Sequence, residues 1–107
     1  MKNHSVYSKN EVDVEPDFPG GVEAMKSFVN KHLVWPEEFG NSGYVILSVV
    51  VDKDGGFSDA KVKRTLCNFC DQAAKEVLRK MPKWNPGLIN NIPVSTRIDV
   101  PIRFELN

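Results

Sequence analysis

The chain has 107 residues, with 14 lysines and arginines against 14 aspartates and glutamates, and 41% of its residues are apolar. This length suits one domain with one hydrophobic core, and the ordinary composition excludes disordered, collagen-like and disulfide-rich chains. The net charge is zero, so the chain lacks the excess of basic residues that is typical of nucleic-acid binding. We therefore expect no nucleic-acid partner. No apolar run approaches the roughly 18 residues that span a bilayer, and the first ten residues lack the apolar stretch of a signal peptide. We therefore expect no membrane insertion by this chain itself.

The N-terminal part of the chain divides at a cluster of turn residues. Residues 1–17 are polar and lack a clear period, which predicts a tail, either wholly irregular or with a short extended piece at Glu11–Glu15. The folded domain is predicted to occupy residues 18–107. The proline and glycines of Phe18-Pro19-Gly20-Gly21 indicate a turn. Apolar residues then recur at helical spacing, so we predict a helix over residues 21–33. Trp35-Pro36 ends this helix, because proline disfavours helical backbone in the residue before it.

Two strands are predicted after this helix. The segment from Gly43 to Asp52 is β-branched and almost wholly apolar, which is typical of a central strand. Lys53-Asp54-Gly55-Gly56 predicts a hairpin turn, because glycine adopts the positive φ that such turns require. Phe57–Leu66 then alternates as a half-exposed strand does.

A second helix follows, and its predicted N-cap is Asn68, with Asp71 three residues later as a shortened capping box. Its predicted apolar face consists of Phe69, Ala73, Ala74, Val77, Leu78 and Met81. Pro82 ends this helix. Residues 85–93 contain prolines, asparagines and a glycine, so we predict a surface loop there.

Val94–Leu106 alternates strictly between apolar and polar residues, which predicts a last strand. The order helix, strand, strand, helix, strand is a split βαβ unit. We therefore predict an α+β domain. Its three-stranded antiparallel sheet has the strand order 2-1-3, with both helices on one face.

Pro101 lies within this last strand and has no backbone N–H to donate. Because proline is confined to strand edges and bulges, the side that Pro101 faces is predicted to be an open edge. Five residues are predicted to present free backbone groups there: Ser95, Arg97, Asp99, Arg103 and Glu105. Pro101 and the charged neighbours either only protect this edge against aggregation, or the edge accepts a partner strand, with the best pairing around Ser95–Asp99.

Cys67 and Cys70 form the one motif with redox or metal chemistry in it. Their position at a helix N-terminus lowers thiol pKa values in general. Three interpretations stay open: two structural cysteines, a disulfide or redox pair, or a metal site that would need two further ligands. Trp35 and Trp84 are either aromatic binding anchors or closures of a small core. No other pattern is typical of catalysis, so we expect no catalytic residue, no metal and no cofactor.

Several motifs resemble those of the C-terminal domain of TonB, the energy-coupling protein of Gram-negative envelopes. In chain order they are Phe18-Pro19-Gly20-Gly21, Trp35-Pro36-Glu37-Glu38, Gly43 with the strand after it, Val51-Asp52-Lys53-Asp54-Gly55, Met81-Pro82-Lys83-Trp84-Asn85-Pro86-Gly87, and Pro93-Val94 with the final strand. The resemblance covers about residues 16–107 in the right order. Its structural motif residues include Trp35, Pro36, Trp84, Pro86 and Gly87.

The resemblance implies a periplasmic, non-enzymatic domain. It also implies a partner: the TonB box, a short extended segment of an outer-membrane transporter, would pair with the last strand so that an inner-membrane motor can pull. A homodimer through the same strand is a second expected partner. TonB itself carries a transmembrane helix and a Pro-rich linker that this sequence lacks. The alternatives are therefore a stand-alone binding or regulatory module that transmits no force, and a dithiol redox protein.

Overall fold

The structure is a computed structural model that describes residues 6–34 and 42–104. Within these ranges the chain forms two helices and five strands. In chain order they are β1 (Val6–Ser8), α1 (Val22–His32), β2 (Gly43–Val51), β3 (Phe57–Arg64), α2 (Asn68–Lys80), β4 (Gly87–Ile89) and β5 (Ile92–Phe104). None of the helices in the described ranges is long and apolar enough to cross a membrane.

The sheet has the strand order β1-β5-β2-β3, and β4 pairs separately with β5. Strands β3, β2 and β5 are antiparallel neighbours, which confirms the predicted 2-1-3 order of the hairpin and the last strand. The α+β class is also confirmed. The prediction of a three-stranded antiparallel sheet is incomplete, because β1 adds to β5 in the parallel direction and makes the sheet mixed.

The predicted surface loop over residues 85–93 contains a tight hairpin instead. Gly87–Ile89 pairs antiparallel with Ile92–Val94. The two connecting residues, Asn90 and Asn91, have φ angles of 52° and 65°. Two successive residues with positive φ are the signature of a type I′ turn, and asparagine tolerates this conformation better than most residues. Composition alone indicated a loop here because β4 has only three residues, too few to show a period.

The segment before α1, which the sequence assigned to a tail, lies against the domain. The N–H of Val14 donates to the carbonyl of Leu88 at 3.2 Å, and the N–H of Leu88 donates back at 3.0 Å. Asp17 and Asn85 exchange two backbone hydrogen bonds of 2.9 and 3.1 Å. The chain therefore runs antiparallel to residues 85–88 from residue 17 to residue 13 and then reaches β1.

One hydrophobic core joins both helices to one face of the sheet. Its buried members are Phe18, Val29, Val45, Leu47, Val49, Val51, Cys70, Ala73, Ala74, Val77, Leu78, Met81, Trp84, Val100, Ile102 and Phe104. The prediction that Phe69 belongs to this core is wrong, since its side chain is 56% exposed. Phe69 lies about 100° around the helix from its neighbour Cys70, and Cys70 takes the inward position.

Candidate functional site

The register between β2 and β5 determines which backbone groups of β5 point away from the sheet. Pro101 lies opposite Ile46. This pair cannot exchange two N–H···O bonds because Pro101 has no N–H. Hydrogen-bonded and non-hydrogen-bonded pairs alternate in an antiparallel ladder, and the register runs unbroken from Gly43↔Phe104 to Val51↔Thr96. The odd-numbered residues of β5 therefore direct their N–H and C=O groups outward.

Strand β1 occupies part of this outer edge. Val6, Tyr7 and Ser8 lie opposite Ser95, Thr96 and Arg97 in a parallel register. The expectation that Ser95 and Arg97 present free backbone groups therefore does not hold in this structure.

Farther along β5 the edge has a different environment. Among the described residues, no strand pairs with the outer side of Asp99 or Pro101. An apolar groove of about 300 Å³ lies beside Pro101, between α1 and β5, and a smaller groove of about 180 Å³ adjoins both Asp99 and Pro101. The walls of the larger groove include Val22, Met25 and Val29 of α1, together with Pro101. Val22 is exposed despite its apolar side chain. An exposed backbone edge and an apolar groove together suit an extended peptide, which offers backbone groups and alternating side chains.

The side chains of the predicted edge residues contact neighbouring strands on the face opposite the helices. Arg97 donates to Ser48 Oγ of β2 at 2.9 Å and forms an ion pair with Asp59 of β3. The stem of Arg97 lies opposite Val50, and such stems cover apolar surface. Val50 is accordingly only 4% exposed although it does not face the helices. Arg97 therefore links β5, β2 and β3 through its side chain.

Two further edge residues make similar contacts. Asp99 accepts a hydrogen bond from Lys63 Nζ at 2.7 Å. The Arg103 guanidinium donates to the Tyr44 hydroxyl at 3.3 Å and lies 5.6 Å from the centre of that ring. Partner recognition at these positions would therefore use the backbone, with the side chains engaged on the face of the sheet. Glu105, the fifth predicted residue, lies outside the described residues.

Cys67 and Cys70 form a disulfide bond. Cys67 is the N-cap of α2, because its Sγ accepts a hydrogen bond from the N–H of Cys70 at 2.9 Å. The prediction that Asn68 is the N-cap is wrong, since Asn68 is already the first residue of the helix. Asp71 supports the helix start in another way: its carboxylate accepts from Thr65 Oγ1 at 2.6 Å. No group of three or more potential ligands that could hold a metal ion occurs within the described ranges.

The segment around Trp84 joins separate parts of the domain. The Trp84 ring is buried, and it meets the rings of Phe18 and Phe57 edge-on, with centroids 6.0 and 5.5 Å away. The backbone N–H of Trp84 donates to the carbonyl of Gly55 at 3.0 Å. A Cβ on Gly55 would clash with the Trp84 carbonyl, and Gly55 has a φ of 89° that also favours glycine. This segment therefore fixes the β2–β3 turn against the core.

The other motif residues divide between the described and the undescribed parts. Gly87 is buried, and a Cβ there would clash with the Thr96 hydroxyl, so glycine permits the close approach of β4 to β5. Pro86, beside it, is half-buried. Trp35 and Pro36 lie outside the described residues.

Comparison with protein families identifies the chain. A family model described as the Gram-negative bacterial TonB protein C-terminal matches residues 37–106. The chain belongs to this family. Domains of the TonB C-terminal family are periplasmic, non-enzymatic parts of energy transducers, and they interact in general with outer-membrane transporters. Comparisons with curated proteins and with solved structures gave no match.

The residues that match the family model cover only some of the strands and helices described above. The match includes β2, β3, α2, β4 and β5, whereas β1 and α1 precede it. The contact between β1 and the edge of β5 therefore involves a segment outside the matched region. Sequence reasoning missed this contact because a strand of three residues is too short to show a period.

Proposed function

We propose that this TonB C-terminal domain binds the TonB box of an outer-membrane transporter by strand addition to β5, as the contact through which energy-coupled transport proceeds. The observation that supports this proposal most is the exposed edge at Asp99 and Pro101 beside the grooves that α1 lines. Proteins usually protect such an edge. Here one stretch of it is left without a strand among the described residues.

The added strand pairs with the outward backbone groups of β5. At Asp99 it receives one donor and one acceptor, and at Pro101 it receives an acceptor only. Alternate side chains of the added strand point toward the apolar groove that Val22 and Met25 line, so we expect apolar residues at those positions of the transporter segment. Backbone hydrogen bonds supply affinity in this mode, and the pockets supply specificity.

The expected affinity is weak. Each backbone hydrogen bond contributes roughly 0.5–1.5 kcal/mol net. Ordering the peptide and fixing its position cost several kcal/mol or more. With about five bonds the balance is on the order of micromolar.

The same edge would be used if the chain is a binding or regulatory module that transmits no force. It would also be used if the chain forms a homodimer through β5. These alternatives share the contact and differ in the partner. The dithiol redox alternative is a different activity: the two sulfurs form a disulfide, which is the oxidised state of such a pair, and Cys67 is half-buried whereas Cys70 is fully buried.

A pair of substitutions at Asp99 tests the proposal. Asp99→Pro deletes the outward N–H, whereas Asp99→Ala keeps that N–H and removes only the ion pair with Lys63. We expect Asp99→Pro to weaken binding of a synthetic TonB-box peptide by up to about tenfold, the equivalent of one hydrogen bond, and Asp99→Ala to bind as the wild type does. Fluorescence anisotropy measures the affinities, and circular dichroism checks that both variants fold.

Equal binding of the peptide by the two Asp99 variants would contradict strand addition at this part of β5. Analytical ultracentrifugation of the same variants tests the homodimer. If the wild type is a dimer through β5, Asp99→Pro should shift it toward the monomer and Asp99→Ala should not.

A further inference from the structure

We propose that β1 is an internal competitor that closes the partner-binding edge of β5 and must leave before a transporter segment can pair along its full length. This inference rests on the proposed function. Its structural basis is that β1 occupies the edge opposite Ser95, Thr96 and Arg97. This part of the edge adjoins the exposed part at Asp99.

The parallel register shows which residue of β1 makes the contact. A residue whose backbone faces a parallel neighbour bonds to the two residues that flank the one opposite it. Ser95 and Arg97 point outward and flank Thr96, which lies opposite Tyr7. Tyr7 is therefore the residue of β1 whose N–H and C=O face β5. The next residue agrees with this assignment, since the N–H of Ser8 points away from β5 and donates to Glu11 Oε1 at 2.8 Å.

The strand is short, but the segment behind it is firmly attached. Ser8 and Glu11 close a turn, in which the Glu11 N–H donates to the Ser8 carbonyl at 3.0 Å. Asp13 then forms two hydrogen bonds, one to β4 and one to the turn after it. Its N–H donates to the Leu88 carbonyl, and its carboxylate accepts from the Asn90 N–H, both at 2.8 Å. A short tether of this kind gives β1 a high effective concentration at the edge. The strand itself offers few bonds, and Val6 is 49% exposed.

Competition follows from the geometry of a strand edge. One outward N–H and C=O can pair with one neighbour at a time, so β1 and a partner strand exclude each other at Ser95 and Arg97. When β1 is closed about ten times as often as it is open, a partner that needs these residues binds about tenfold more weakly. The free energy needed to displace β1 therefore reduces the binding free energy of a transporter segment.

A matched pair of proline substitutions in the full chain tests this inference. Tyr7→Pro deletes the N–H that faces β5, whereas Val6→Pro deletes an N–H that points away from it. Amide hydrogen exchange, followed by nuclear magnetic resonance, reports on the edge without any partner. We expect Tyr7→Pro to accelerate exchange at Arg97 about tenfold relative to the wild type. We expect Val6→Pro to leave Arg97 nearly unchanged, and the Ile98 amide, which faces β2, to be unchanged in both.

A deletion of residues 1–8 provides a second variant in case Tyr7→Pro perturbs the turn at Glu11. It should show the same acceleration at Arg97, and a synthetic peptide of residues 1–12 should reverse that acceleration when added in excess. Unchanged exchange at Arg97 in both Tyr7→Pro and the deletion variant would overturn the inference, because β1 would then not cover the edge.

A synthetic TonB-box peptide separates this inference from the proposed function. Tighter binding to the deletion variant than to the wild type, by about tenfold, supports both. Binding of equal strength to the two overturns the competition while leaving the proposed function intact. Accelerated exchange with no binding of the TonB-box peptide to either chain contradicts the proposed function. The closure of the edge by β1 would then stand alone.

Discussion

The surroundings of Trp84 show the structural role of the motif from Met81 to Gly87. Trp84 packs against Phe18 and Phe57, and its indole Nε1 has no hydrogen-bond partner within the described part of the chain. We expect Trp84→Ala to lower the free energy of unfolding by roughly 3–5 kcal/mol, as large truncations in a core do. Trp84→Phe keeps a ring and loses no indole hydrogen bond, so it should cost clearly less. Urea unfolding measures both values.

A loss below about 1 kcal/mol for Trp84→Ala would show that the indole contributes little to the core. The interpretation of Trp84 as a binding anchor would then gain support over core closure.

Asp54 in the β2–β3 turn gives a prediction about pH. The Gly56 N–H, which donates to Asp54 Oδ1 at 2.9 Å, holds the pKa of Asp54 below its ordinary value of 3.8, and the Lys83 ammonium at 3.3 Å adds to this effect. A carboxylate whose pKa is lower in the folded state stabilises the fold above pH 3.8, and this contribution is lost as the pH falls through the folded pKa. Asp54→Asn should therefore destabilise the protein at neutral pH and match the wild type in strong acid.

Lys83→Gln separates the effect of the Lys83 ammonium on the Asp54 pKa from that of the Gly56 hydrogen bond. It removes the ammonium and keeps the Gly56 N–H, so the pKa of Asp54 should rise only part of the way toward 3.8. Side-chain carboxyl chemical shifts, recorded across the acid range, follow the titration directly. A full return to the ordinary pKa in Lys83→Gln would show that the Gly56 hydrogen bond contributes nothing.

At the scale of the elements, the start of α2 depends on two roles of the same cysteine pair. The disulfide closes a very short loop, for which chain entropy gives roughly 2 kcal/mol, and Cys67 Sγ also caps the helix. The double variant Cys67→Ser with Cys70→Ala should lose about the disulfide contribution, because serine is a good N-cap. Cys67→Ala with Cys70→Ala should lose about 1 kcal/mol more. Thermal unfolding of both variants, with and without reductant for the wild type, measures the two losses.

Equal stability of the two double variants would mean that the cap has no value at this helix start. A wild type that is unaffected by reductant would mean that the disulfide has none.

The periodic elements were predictable from the sequence for a physical reason. The apolar residues of β2, α2 and β5 recur at the period of the element, because the element buries one face or both. Where periodicity was absent, the predictions failed. The surface loop predicted over residues 85–93 contains β4, whose three residues are too few to show a period, and Phe69 was predicted in the core because spacing alone did not distinguish it from Cys70.

At the scale of the whole molecule, the N-terminal segment decides where the domain begins. The sequence placed a boundary between residues 17 and 18, yet residues 13–17 form hydrogen bonds to Asn85, Leu88 and Asn90. Deleting residues 1–17 should lower the free energy of unfolding by about 1–3 kcal/mol, since several net hydrogen bonds are lost and some chain entropy is regained. Deleting residues 1–8 should cost less than 1 kcal/mol, because only β1 is lost. Chemical denaturation of the two deletions measures this difference.

If both deletions are as stable as the wild type, the boundary at residue 17 is correct and the contacts of residues 13–17 add no stability. If both cost the same large amount, β1 itself stabilises the fold and is not a weak competitor for the edge.

The sequence by itself determined the α+β class, the 2-1-3 order of the antiparallel strands and the family, because periodicity and the motif around Trp84 are written in consecutive residues. Only the tertiary structure decided what lies on the outer edge of β5. Pro101 indicated the side of the strand that is open, but the three residues of β1 show no period. Their pairing with Ser95 and Arg97 depends on how residues 13–17 are anchored to residues 85–88. A contact between segments almost ninety positions apart is fixed by the packed fold, and no local pattern in the sequence carries it.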